Sequence, residues 1–61
     1  MEEVVKLDLS REQTDELRSL LAEVLGDLSA EIAATENPTY RSALARRRSL
    51  LTDIRAQLDP V

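Results

Sequence analysis

Apolar residues recur along this chain at helical spacing in two blocks, separated by a short polar corner. In the first block the large apolar positions are Leu17, Leu20, Leu21, Val24, Leu25, Leu28 and Ile32. At about 100° per residue they fall in one stripe roughly 140° wide. Ser10-Arg11-Glu12-Gln13 stands just ahead of them and reads as a capping box, with Ser10 as N-cap and Gln13 reaching back to it. Glu12, Asp15 and Glu16 complement the positive end of the helix dipole. The pattern predicts a helix over about 11–35. In the second block Tyr40, Leu44, Arg47, Leu51, Ile54 and Leu58 alternate steps of four and three, the heptad spacing, and Ala43 and Leu50 broaden one flank. That block predicts a helix over about 38–58, ended by Asp59-Pro60.

The corner between them is Thr35-Glu36-Asn37-Pro38-Thr39-Tyr40. Asn37 is a favoured N-cap, and Pro38 fits the first helical position, where a missing N–H costs nothing. Pro38 also pushes Asn37 out of the α region, so the incoming helix must stop before it. The expected fold class is therefore all-α: one domain over residues 1–61, a two-helix antiparallel hairpin. Ahead of it, Val4-Val5-Lys6-Leu7-Asp8-Leu9 alternates like a short strand. A single strand has no partner within a hairpin, so residues 1–9 are expected as an extended arm laid on the helices by its leucines. A frayed tail and a strand paired with a two-fold mate are the alternatives.

A lone hairpin buries one stripe per helix, and a stripe as wide as the first helix's would leave about half its leucines in water. Exposed apolar patches of that extent mark interfaces. Dimerisation into a four-helix bundle gives each stripe two neighbours, so a homodimer is the expected assembly, with another helical protein as the alternative partner. The twelve core or interface positions are the seven named in the first block together with Tyr40, Leu44, Leu51, Ile54 and Leu58.

Charge refines this picture. Residues 1–36 carry ten acids against Lys6, Arg11 and Arg18, a balance of −7, while residues 37–61 carry five arginines against Asp53 and Asp59, a balance of +3. An acidic helix followed by a basic one favours antiparallel pairing of the two. Glu31 and Arg47 are the charged intruders at seam positions, one per helix and of opposite sign. They are expected to form a partly buried ion pair, within the hairpin or across the dimer, that fixes register more than it adds stability.

Composition removes most chemistry. The chain has no Cys and no His, so thiol catalysis, zinc fingers and imidazole acid–base chemistry are excluded, and no cofactor or metal is expected. Tyr40 is the only aromatic residue, which excludes base-stacking platforms. No nucleophile–base pair and no Gly-rich phosphate loop is present, so the chain is expected not to be an enzyme. No apolar run approaches the roughly 20 residues that span a bilayer, and Met1-Glu2-Glu3 has the wrong charge for a signal peptide; a cytoplasmic protein away from membranes is expected. Arg46-Arg47-Arg48 suggests phosphate binding, but consecutive helical residues point about 100° apart and do not share a face. Arg41 and Arg48, seven apart, do share one.

Leu9-Ser10-Arg11-Glu12-Gln13, then Glu31-Ile32-Ala33-Ala34-Thr35-Glu36-Asn37-Pro38-Thr39-Tyr40-Arg41 and Leu44, resembles a group of short bacterial helical-hairpin proteins without assigned function. In size and layout the chain is also similar to the Rop-type homodimeric four-helix bundles, which bind RNA hairpins. That resemblance implies the architecture. It does not extend to RNA binding, because the first helix has no lysine row and no exposed phenylalanine. The strand, helix, helix order is similar to ribbon-helix-helix repressors, but here the strand would offer Asp8 beside Lys6, and the first helix is about twice as long as that fold uses. The functional expectation is a non-enzymatic, self-associating interaction or scaffold module; the alternative is a small dimeric nucleic-acid-binding regulator of the Rop or ribbon-helix-helix kind.

Overall fold

In a computed structural model the described residues are 3–58, and they form two helices packed against each other: α1, Arg11–Ala34, and α2, Pro38–Leu58. No strand occurs among them. Residues 1–2 and the Asp59-Pro60 helix stop lie outside the described residues.

Local chemistry sets each boundary. The Ser10 hydroxyl accepts the Gln13 N–H at 3.1 Å while the Gln13 side chain accepts the Ser10 N–H at 2.9 Å, closing the capping box. Thr14 adds a hydroxyl bond to the Ser10 carbonyl at 2.9 Å. At the other end Thr35 is extended (φ −80°, ψ 140°), so α1 stops at Ala34, at the expected boundary. The Asn37 side chain accepts the N–H groups of Thr39 at 3.0 Å and Tyr40 at 3.2 Å, two of the donors that a helix start leaves without partners. Arg41 spans the corner and donates to the Thr35 carbonyl. Asn37→Ala is expected to cost about 1 kcal/mol, read as a lower thermal midpoint. Unchanged stability would place the cap elsewhere.

The seam between the helices is thin. Among the described residues only Leu21, Leu25, Leu28 and Leu44 are buried. Leu17, Val24, Ile32, Leu51 and Leu58 are half-buried beside them. Gly26 lies outside the seam, with open space around the position a side chain would take.

The N-terminal arm is non-helical, as expected, but it is not laid down tightly on the helices. Residues 3–10 are non-helical and exposed, with Val5 at 71% and Leu7 at 68%. Its leucines do not pin it down: Leu9, at 36%, is the only one near cover. The physical reason is that an isolated extended segment gains no ladder hydrogen bonds, and two helices present only a shallow groove to lay it in. That groove, at the open end of the hairpin, is lined by Leu7, Leu9, Leu17, Ile54 and Leu58.

Candidate interaction face

The half-exposed apolar residues share a face. Taking Leu21–Leu25–Leu28 as the line that α1 turns toward α2, Leu17, Leu20, Val24 and Glu31 all fall to one side of it at about 100° per residue. Relative to Leu44 on α2, the corresponding side carries Tyr40, Ala43, Arg47, Leu50 and Ile54. Hydrogen bonds between the helices show that these two sides coincide in space. The Tyr40 hydroxyl donates to Glu31 Oε2 at 3.1 Å, joining that flank of α1 to that flank of α2. Arg48 donates to the Ser29 hydroxyl at 3.4 Å on the opposite flank.

This face carries most of the chain's exposed large apolar surface outside the arm. Leu20 and Leu50 are each 53% exposed and Ile54 is 42% exposed. The two helices cannot cover them, because each turns only its central line toward the other. The chain exposes 5420 Å², whereas a compact monomer of its 6.8 kDa mass exposes about 4,000 Å². The surplus, on the order of 1,400 Å², is shared between the exposed arm and this half-covered face.

The expected Glu31–Arg47 pair does not form within the hairpin. Both residues are exposed, and no ion pair joins them. Within the hairpin the Glu31 carboxylate is engaged instead by Tyr40, which takes one of its oxygens. The Tyr40 phenol is accordingly pushed above its usual 10.0, first by that hydrogen bond and then by the Glu31 charge, with Arg47 opposing. A raised value means that the neutral phenol is favoured in the fold, so this contribution is present below pH ~10 and is lost as pH rises through the folded value. Tyr40 is the chain's only tyrosine, so its absorbance titration reads this directly. The midpoint is expected above 10 and should fall in Glu31→Gln; an identical midpoint in that variant would dismiss the contact.

The charge complementarity between the helices is likewise unused inside the hairpin. Among the described residues the ion pairs lie within α1, Arg11–Asp15 at 3.9 Å and Arg18–Asp15 at 3.4 Å. Among the described residues no α2 arginine has a carboxylate within ion-pair distance. On the face away from the exposed leucines, Arg55 continues the seven-residue spacing of Arg41 and Arg48, making a row of three. Arg18 of α1 approaches its end and donates to the Leu58 carbonyl at 2.8 Å. The signal for this row is the recurrence at 41, 48 and 55, which the contiguous Arg46-Arg47-Arg48 run obscures.

No protein-family model matches the chain, and no solved structure matches it at a significant level. Among the described residues no helix is long and apolar enough to cross a membrane.

Proposed function

We propose that this chain is a non-enzymatic, self-associating helical module that pairs as a cytoplasmic homodimer in a four-helix bundle and serves interaction or scaffolding. The observation that carries this reading is the exposed face of Leu20, Leu50 and Ile54 on a hairpin with so thin a seam. A folded monomer would have to keep that face in water, whereas a second copy covers it with the same residues. A dimer's thermal midpoint rises with protein concentration by mass action, and a monomer's does not. Thermal unfolding over a hundredfold range of concentration separates the two.

One observation favours a second reading, a dimeric nucleic-acid-binding regulator: the Arg41, Arg48 and Arg55 row, free of carboxylate partners among the described residues. Phosphate contacts would make affinity for bulk nucleic acid fall steeply with salt. The interaction-module reading expects little binding at any salt, because the chain's net charge is −4 and it offers no aromatic platform.

A further inference from the structure

The proposed dimer can be built in two ways, and the charges choose between them. A two-fold axis running across the helices lays α1 beside its own copy and α2 beside its own copy. An axis parallel to the helices lays α1 of each chain beside α2 of its partner. The rim of the apolar face is acidic along α1, where Glu16, Glu23, Asp27 and Glu31 are exposed, and basic along α2, where Arg46 and Arg47 are exposed. The crossed axis therefore brings acid against acid in one groove and arginine against arginine in the other. The parallel axis brings acid against arginine in both.

Heights along the bundle agree. Ser29 bonds to Arg48 and Arg18 to the Leu58 carbonyl, so Arg47 lies level with the segment between Asp27 and Glu31, and Ile54 lies level with the segment between Leu20 and Val24. A parallel two-fold axis preserves height. We propose that a second copy of this chain docks on the apolar face with its two-fold axis parallel to the helices, setting the partner's Ile54 against Leu20 and Val24 and the partner's Arg47 between Asp27 and Glu31. This arrangement rests on the self-association proposed above. It gives the α2 arginines of this rim the carboxylates they lack within the hairpin, and Tyr40 holds one oxygen of Glu31 at that rim. It also places both turns at the same end of the bundle and leaves the Arg41, Arg48 and Arg55 row facing outward.

The turns supply the test. The chain has no cysteine, so Glu36→Cys, an exposed turn position, takes a single spin label. With helix axes 8–10 Å apart, the parallel axis puts the two labels about 15–20 Å from each other, across the bundle diagonal. The crossed axis puts them at opposite ends, about 35 Å apart for helices of this length. A short distance supports the proposal, and a long one overturns it while leaving the dimer intact. Sedimentation of the same labelled sample at the monomer mass would overturn self-association itself. Arg47→Glu is expected to raise the dissociation constant roughly tenfold, as two symmetry-related attractions become repulsions. Adding Glu31→Arg to that chain should recover most of the loss. Indifference of the dimer to both changes would remove Arg47 from the interface.

Discussion

Leu28→Ala is expected to leave the protein largely unfolded at ambient temperature. Leu28 sits at the middle of the seam, 6% exposed, in a core that among the described residues has only three other buried side chains. Truncation removes the transfer free energy of the deleted atoms and leaves a cavity, together ~2–5 kcal/mol for a buried leucine. Small domains are stable by about 5 kcal/mol, so the loss is comparable to the whole. Urea titration followed by helical circular dichroism measures it, as a midpoint near zero denaturant. Leu44→Ala, at 7% exposure, is expected to behave alike. Leu51, half-buried in the hairpin, should show the same cost only where a partner completes its cover. A Leu28→Ala chain with near-normal stability would mean that the seam is not where the fold is held.

Leu20→Asp is expected to act differently, breaking the assembly first. Leu20 is 53% exposed in the hairpin, so the change is nearly neutral for an isolated chain. In the dimer it would put an unpaired carboxylate among the partner's apolar residues, on a rim already lined by Glu16 and Glu23. Burying an unpaired charge costs several kcal/mol, and the two-fold axis repeats the error. The dissociation constant should rise at least a hundredfold, about 2.7 kcal/mol. Light scattering over a dilution series reads the change. A dimer that tolerates Leu20→Asp uses another face.

Most of the fold is legible in the sequence because its signals are local. Ser10 and Gln13 form a cap whose two hydrogen bonds lie within one turn, and Asn37-Pro38 starts α2 by steric and capping rules that need no distant partner. The width of the first stripe likewise announces exposed leucines, because a helix cannot turn 140° of surface toward one neighbour. What is not legible in the sequence depends on side-chain reach across the seam. Glu31 and Arg47 share a heptad pattern, yet heptad position does not say which donor reaches a carboxylate first, and Tyr40 reaches it. The arm alternates like a strand, but alternation reports a face and not whether anything covers it; Val5 and Leu7 remain in solvent. The Arg41, Arg48 and Arg55 row is periodic in the sequence, whereas its lack of carboxylate partners depends on where the acids of α1 lie.

A hairpin that is half of a bundle reveals itself by its mass in solution. Sedimentation equilibrium of the unmodified chain tests it most directly. Twice the 6.8 kDa chain mass is expected at micromolar concentration, falling toward the single mass on dilution. A folded species that keeps the single-chain mass at every concentration would contradict it.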